Sequence, residues 1–418
     1  MLAIKRFRSL REPRRVGSHE MTIAFIRSLG CVALVASLEG AAHAQTASPG
    51  EHQTASPAEQ KIAAAERAVA SNPTKYDAYN QLALALTRRA RETSDTVYYD
   101  RADAAIARSL ELSPGNFEAQ KARAWVLLGK HEFQKALELA RTLNKQMPDD
   151  LLVYGFLTDA NVELGNYKEA EEACQWMLDL RPGNIPAFTR AAYLRELFGD
   201  IEGAIELMTA AYQRTAPLEV EDRAWILSQL GHLESIAGRT DNSERLLQEA
   251  LAVFPNYHYA LANLAKVRSA QKRHAEAADL LKRRYDAAPH AENLYAFAEE
   301  LERSGRQAQA KAAFADFEMR ALRESEIWDN ANRELTFYYA DHARKPAEAL
   351  RVARLEVARR HDVYTLDAYA WALHRNNKSR EAREYMQRAL AVGVKDPAVL
   401  SRAAIIIGKP AVTKTAQK

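Results

Sequence analysis

Apolar residues recur along this chain at the spacing of amphipathic helices, and the predicted helices come in pairs of nearly constant length. Apolar side chains fall at helical intervals from Leu151 to Leu164 and again from Tyr167 to Leu180. Gly165-Asn166, between the two segments, can supply the left-handed turn that ends the first helix. Pro182 ends the second helix because proline cannot continue the backbone hydrogen bonds. Residues 151–182 therefore predict a helical hairpin.

The hairpin repeats with a period of 34 residues. That spacing separates Pro114 from Pro148, Pro148 from Pro182, Pro255 from Pro289, and Gly165 from Gly199. A small residue recurs in the second helix, where two helices must approach closely, and its positions are Ala136, Ala170, Ala204, Ala277, Ala310, Ala349 and Ala382. Units of this length predict an array of stacked hairpins whose core grows with the number of repeats.

Composition supports helices throughout and argues against a nucleic-acid ligand. Glycine (16) and proline (14) are scarce, and no run of alternating β-branched residues predicts a strand. The first 44 residues carry seven Lys/Arg against three Asp/Glu, so the net charge of +3 comes from them and the remainder is close to neutral. Because phosphates require a concentrated basic face, we predict no nucleic-acid partner.

Several units resemble the tetratricopeptide repeat family, and in particular its bacterial exported members. Family positions of the first helix are matched by Tyr79, Leu82 and Ala83, and the Leu-Gly pair by Leu230-Gly231. The turn is matched by Gly165-Asn166-Tyr167 and Gly199-Asp200-Ile201. The resemblance implies an all-α fold, an α-α superhelix of about nine helix hairpins over residues 58–408. Single helices at Ala58–Ser71 and Pro397–Ile407 are expected to cap its two ends.

Three departures from the period are expected to change the array locally. The first unit is about seven residues too long, so the chain near Arg91–Tyr99 should protrude. Another insertion of about five residues follows Pro217. The unit at Asn330–His361 lacks the glycine and the terminal proline, and Lys345-Pro346 is predicted to form its turn.

The N-terminal segment, residues 1–44, reads as a signal peptide preceded by an extension, with Met21 as an alternative start. An apolar run from Leu29 to Leu38 precedes Ala42-His43-Ala44, which fits a cleavage site between Ala44 and Gln45. We therefore predict a periplasmic or secreted protein without a transmembrane span after cleavage. The alternative is an uncleaved signal that anchors the protein to the inner membrane. Residues 45–57 are predicted to be a polar linker, and residues 409–418 a disordered tail.

Catalytic and metal-binding patterns were sought along the chain. His131-Glu132 begins like a zinc-protease helix, but Lys135 stands where the second histidine is required. The sequence has no glycine-rich phosphate loop and no nucleophile elbow, and Cys174 is predicted to be a buried apolar filler. We predict no enzyme activity, no cofactor, no metal and no small-molecule substrate.

The family resemblance implies that the first helix of each hairpin lines a concave face that binds a protein partner. Carried onto this sequence, the residues of that face are Lys121, Trp125, Asp159, Thr189, Tyr193, Trp225, His232, Tyr259, Lys266 and Tyr295. Trp125 and Tyr193 are the favoured contacts because aromatic side chains supply large contact areas. The predicted function is a protein-interaction scaffold that binds a peptide segment of its partner. The alternative is a structural accessory subunit of an envelope assembly, such as polysaccharide export or outer-membrane biogenesis.

Overall fold

The computed structural model describes residues 56–327 and 329–408, and this part of the chain is an α-helical array. The signal peptide, most of the linker and the C-terminal tail predicted above lie outside the described residues. The helices are α1 (Pro57–Ser71), α2 (Tyr76–Thr93), α3 (Val97–Leu112), α4 (Phe117–Gly129), α5 (Phe133–Gln146), α6 (Leu151–Glu163), α7 (Tyr167–Leu180), α8 (Ile185–Leu197), α9 (Ile201–Arg214), α10 (Val220–Ile236), α11 (Thr240–Val253), α12 (His258–Ala270), α13 (His274–Ala287), α14 (Ala291–Arg303), α15 (Gln307–Glu324), α16 (Asn332–Phe337), α17 (Pro346–Val357), α18 (Val363–Arg375), α19 (Ser379–Leu390) and α20 (Pro397–Ile407).

The helices pair as predicted: nine hairpins run from α2–α3 to α18–α19, with α1 and α20 as single helices at the ends. Each hairpin packs against its neighbours in sequence order, so the predicted all-α superhelix is confirmed. Among the described residues, none of the helices combines the length and apolar character needed to cross a membrane.

Helix boundaries follow local chemistry that repeats with the period. Asn116, Asp150 and Asn184 precede α4, α6 and α8, and each side chain accepts a hydrogen bond from a backbone N–H in the first turn. Gly165 and Gly199 adopt the left-handed conformation at the hairpin turns, with φ of +78° and +79°. His131 takes the equivalent turn with φ of +60°, so glycine is not obligatory at this position.

The recurrent small residue lies where the helices of a hairpin meet. Its seven members are at most 2% exposed, and they are Ala136, Ala170, Ala204, Ala277, Ala310, Ala349 and Ala382. Larger apolar side chains fill the space between successive hairpins, as Phe156 does between α4 and α6. Apolar packing between sequence neighbours thus builds the array.

The departures from the period also lie where they were predicted. Helix α2 has 18 residues and α10 has 17, whereas α4, α6 and α8 each have 13. The eighth hairpin is irregular: a π-helical segment, Tyr338–His342, extends α16, and Lys345-Pro346 begins α17. A π-helical segment absorbs an extra residue within a helix, which explains why the register is hard to follow there.

Candidate protein-binding interior

The array winds so tightly that one superhelical turn touches the next. The backbone N–H of Val363 donates to the Tyr167 hydroxyl at 2.9 Å, across 196 residues of sequence. Arg360 Nη1 lies 3.3 Å from Glu163 Oε2, across 197 residues. His131 Nδ1 lies 3.3 Å from Asp329 Oδ1. Since the repeat is 34 residues long, about six repeats complete one turn.

These contacts form a line that we call the seam. Its pairs are Ser94 with His290, His131 with Asp329, Glu163 with Arg360, and Tyr167 with Val363. The seam consists mainly of hydrogen bonds and ion pairs, although Tyr167 also packs against the C-terminal apolar cluster, and apolar clusters lie between neighbouring hairpins. In an ordinary solenoid each repeat contacts only its neighbours, so the seam adds contacts that the repeat pattern does not encode.

The two insertions also meet each other across the superhelix. Arg88, on the extended α2, lies 2.8 Å from Glu219, and it pairs with Asp222 as well. Arg91 pairs with Glu221 and Asp222. We call these five residues the clasp. The segments that break the 34-residue period are therefore the ones that join the first hairpin to the fifth.

Glu221 is the buried centre of the clasp. Its side chain is 3% exposed, and one carboxylate oxygen accepts a hydrogen bond from the Tyr257 hydroxyl at 2.6 Å. Burial opposes the charge on Arg91, but Glu221 and Asp222 outweigh that effect and raise the pKa of Arg91. The Arg91 guanidinium therefore remains charged within the clasp.

Four of the predicted binding residues have polar partners within the array. The Lys121 ammonium lies 2.8 Å from Asp150, and the Asp159 carboxylate lies 2.6 Å from Arg190. The Thr189 hydroxyl donates to a backbone carbonyl at 3.2 Å. His232 lies 2.9 Å from Glu196. Lys121, Asp159 and His232 thus join neighbouring first helices, whereas the Thr189 hydrogen bond lies within α8.

Tyr193, Tyr259 and Lys266 keep solvent-accessible atoms although protein surrounds each of them. Tyr193 and Tyr259 are half-buried, and burial raises the pKa of both phenols. Lys266 is exposed to solvent, yet protein surrounds it, and this desolvation lowers the pKa of its ammonium group. A side chain that is accessible but enclosed in this way is available to a ligand that enters the superhelix.

The remaining three predicted residues, and Tyr259 as well, take part in packing. Trp125 is half-buried against the cluster between α4 and α6, and Trp225 and Tyr259 are half-buried against the cluster between α10 and α12. Tyr295 is 7% exposed and packs within the C-terminal core near Phe317. The ten residues therefore do not form one continuous patch, and Lys266 is the exposed one among the ten.

Two adjoining cavities lie between the turns of the superhelix. The larger, which we call the seam cavity, has a volume of 740 Å³, and the smaller one has 380 Å³. His131, Glu292 and Asn330 line both. Residues from α2, α4 and their turns form one wall of the seam cavity, and residues from α12, α14 and the α15–α16 connection form the other.

Most of the residues that line these cavities could not be predicted from the sequence. Tyr99 belongs to the first hairpin, whereas Glu292 and Glu324 belong to the seventh, and they meet because of the superhelical winding. The insertion near Arg91–Tyr99 was the available signal, since an extended α2 must reach beyond its own repeat. The 34-residue pattern does not indicate which residues the extended α2 contacts.

The chemistry of the described residues gives no indication of a metal or nucleophile site. Among residues 56–327 and 329–408, no group of three or more His, Cys, Asp or Glu side chains is placed to hold a metal ion. Cys174 is fully buried, and burial raises the pKa of its thiol to about 12, so the thiol stays protonated at neutral pH.

Comparison with known proteins supports the class that the fold defines. Residues 222–290 match the protein-family model described as tetratricopeptide repeat. No curated protein sequence matches the chain. Together with the nine stacked hairpins, the match defines a tetratricopeptide-type solenoid.

Solved structures share this architecture at low sequence identity. The human IFIT1 dimer with PPP-AAAA is 13% identical, with a TM-score of 0.51 and coverage of 80% of this chain and 87% of that one. The chain in the APC/C hetero-tetramer Cut9-Hcn1 is 15% identical, with a TM-score of 0.49. The match covers 84% of this chain and spans 60% of that one. The likeness to the IFIT1 structure, at 13% identity, shows the fold alone.

Proposed function

We propose that this protein is a non-enzymatic protein-interaction scaffold that binds a peptide segment of a partner in its concave interior. The observation that carries the proposal is the placement of Tyr193, Tyr259 and Lys266, which are accessible although the superhelix surrounds them. Aromatic rings contribute large contact areas at little entropic cost, and a lysine can bind carboxylate or carbonyl oxygens. An extended or helical peptide has the shape to contact residues on successive first helices.

The proposal includes export to the periplasm or the exterior. It rests on the apolar run and the Ala42-His43-Ala44 pattern, which precede the array in the sequence. Expression of the full chain with a C-terminal tag, followed by fractionation and N-terminal sequencing, tests this part. A tagged protein that begins at Gln45 in the exported fraction supports it, and an uncleaved protein in the cytoplasm contradicts it.

Partner capture tests the binding site. A photo-crosslinking amino acid at Lys266 should trap the partner in cells, and mass spectrometry identifies the trapped chain. The purified partner is then titrated against the Trp125→Ala/Tyr193→Ala variant, for which we expect binding to weaken about tenfold or more while helical circular dichroism is unchanged. Trp176→Ala is the matched control, because Trp176 is 55% exposed and lies on a second helix, α7.

The two variants together separate a site effect from a general loss of aromatic surface. Binding that is unchanged in Trp125→Ala/Tyr193→Ala would reject the concave interior as the site. Equal losses in this variant and in Trp176→Ala would indicate that the partner does not discriminate between the two faces.

A further inference from the structure

The seam cavity combines apolar walls with six carboxylates, of which Glu324 and Glu326 form no ion pair among the described residues. Tyr99, Tyr259 and Ile327 contribute apolar surface, and Ile327 is 53% exposed. Six carboxylates line the cavity: Asp100, Glu132, Glu292, Glu324, Glu326 and Asp329. The lining contains two permanently cationic side chains, Arg91 and Lys130.

Those two cations are already engaged in ion pairs. Arg91 pairs with Glu221 and Asp222 in the clasp, away from the cavity lining. Lys130 lies 2.8 Å from Asp100 and 2.7 Å from Asp103. Glu132 pairs with Lys135, Glu292 with Arg284, and Asp329 with His131, so the unpaired negative charge of the cavity lies on Glu324 and Glu326.

Glu324 and Glu326 carry this unpaired charge. Within residues 56–327 and 329–408, neither carboxylate lies within 4.0 Å of a cationic group. Glu324 is half-buried, and burial raises the pKa of its carboxyl group; Asp329 and Glu292 reinforce this effect, and His290 and Arg320 only partly offset it. A partly desolvated carboxylate that lacks a counter-ion is stabilised when a ligand supplies one.

We propose that the seam cavity binds a basic segment of the partner polypeptide, with lysine or arginine side chains inserted between Tyr99 and Tyr259 toward Glu324 and Glu326. This inference rests on the proposed function and assigns its ligand chemistry. Long basic side chains suit the cavity because their aliphatic stems pack on apolar walls while their charged ends reach carboxylates. The tyrosine faces add cation–π attraction.

The same charge argument disfavours an acidic peptide or a nucleic acid at this place. Phosphates and carboxylates would meet Glu292, Glu324 and Glu326 without an unpaired cation in the cavity lining to offset the repulsion. The choice of ligand sign is therefore a direct consequence of the lining and can be tested with simple probes.

The experiment is a fluorescence-anisotropy titration of the full chain with four labelled probes. They are a lysine–serine peptide, a glutamate–serine peptide of equal length, spermidine, and a single-stranded RNA. We expect the lysine–serine peptide to bind, spermidine to bind more weakly because it has no backbone, and the two anionic probes to be excluded. The Glu324→Gln/Glu326→Gln variant should weaken binding of the lysine–serine peptide about tenfold.

A control variant with the same change in net charge isolates the cavity. Glu169 and Glu206 are exposed carboxylates on the second helices α7 and α9. Glu169→Gln/Glu206→Gln should bind the lysine–serine peptide as the native chain does. Circular dichroism and thermal unfolding of both variants should match the native protein, since glutamine keeps the shape of glutamate.

The outcomes separate this inference from the proposed function. Equal binding of the lysine–serine peptide by the native chain and Glu324→Gln/Glu326→Gln overturns the cavity as the basic-peptide site. Tighter binding of the glutamate–serine peptide, lost in Tyr193→Ala, overturns the charge assignment but leaves a peptide-binding interior. Tighter binding of RNA overturns both, as does the absence of binding by every probe and by the crosslinked partner.

Discussion

Removal of one arginine from the clasp should loosen the first hairpin without unfolding the array. Arg91 pairs with Glu221 and Asp222, and Glu221 is 3% exposed. Arg91→Ala leaves that carboxylate buried with only the Tyr257 hydroxyl as a polar partner. Breaking a buried pair from one side costs about 3–5 kcal/mol. Because the Arg91 side chain is 33% exposed, solvent screens the pair, and we expect a cost below that range, about 2 kcal/mol.

The loss should be local because the apolar packing of α2 against α3 and α4 is untouched. A cost of about 2 kcal/mol corresponds to an opening equilibrium roughly 30-fold more favourable. Hydrogen exchange followed by mass spectrometry should show amides of the last turn of α2 exchanging faster by that factor. The amides of α6 and α7 should be unchanged.

Arg101→Ala provides the matched control for the clasp. Arg101 pairs with Glu66 at 3.0 Å, but both side chains are about half exposed, so the pair contributes about 0.2–1 kcal/mol. Exchange in α2 should then differ little from the native protein. If Arg91→Ala also leaves exchange in α2 and α10 unchanged, the clasp does not join the first hairpin to the fifth in solution.

Three further substitutions test the packing and the seam. Gly165→Ala and its control Gly305→Ala both place alanine at a positive φ, which costs about 1–2 kcal/mol. Only at Gly165 would the new Cβ lie 2.6 Å from a backbone oxygen across the seam, so urea unfolding should show a loss of stability larger by about 1–3 kcal/mol for Gly165→Ala than for Gly305→Ala. Ala310→Leu should destabilise the array by about 1–3 kcal/mol by overpacking. Its control Ala308→Leu, at an exposed position on the same helix, should change the free energy of unfolding by less than about 0.5 kcal/mol, and equal effects would contradict close packing at Ala310. Burial, reinforced by a neighbouring carboxylate, raises the pKa of Glu163 to about 7. The native state therefore keeps a proton that the unfolded chain releases near pH 4.5, and the native protein loses stability as pH rises toward 7. Glu163→Gln should reduce this dependence of stability on pH, and parallel pH profiles of the two proteins would argue against the assignment.

The hairpins could be predicted from the sequence because their determinants are local. Pro114, Pro148 and Pro182 mark the ends of second helices, and Asn116, Asp150 and Asn184 cap the first helices that follow. Apolar residues at helical spacing then fix which face of each helix is buried. Such signals survive in most units, although the unit at Asn330–His361 lacks both the glycine and the terminal proline, and the number of hairpins and both end helices were predicted correctly.

The closure of the superhelix could not be predicted in the same way. Arg91 and Glu221 are 130 residues apart, and their meeting depends on small rotations between hairpins that add up over several repeats. Changes of a few degrees per repeat would separate them. The protrusion of α2 was predictable from the extra residues, but its contacts with α10 and with His258 and His290 were not.

The same limit applies to the binding residues. Lys121 and Asp159 lie on the predicted first helices, but both already form ion pairs. Lys121 pairs with Asp150, and Asp159 pairs with Arg190. Tyr295 is buried by the aromatic cluster of the following hairpins, including Phe314. Helical periodicity predicts which face a side chain occupies, but it does not predict whether a neighbouring helix or a ligand covers it.

Contact between successive turns of the superhelix is the central claim, and thiol crosslinking of a His131→Cys/Asp329→Cys variant with a short bismaleimide tests it most directly. The imidazole Nδ1 of native His131 lies 3.3 Å from Asp329 Oδ1, so cysteine thiols at the two positions lie within reach of one such reagent. Peptide mapping of the treated, folded protein should show the 131–329 crosslink in most molecules. It should be absent from a control that pairs Asp329→Cys with Glu169→Cys on α7. Failure of the 131–329 crosslink to form in a folded protein would contradict the closed superhelix and both cavities that depend on it.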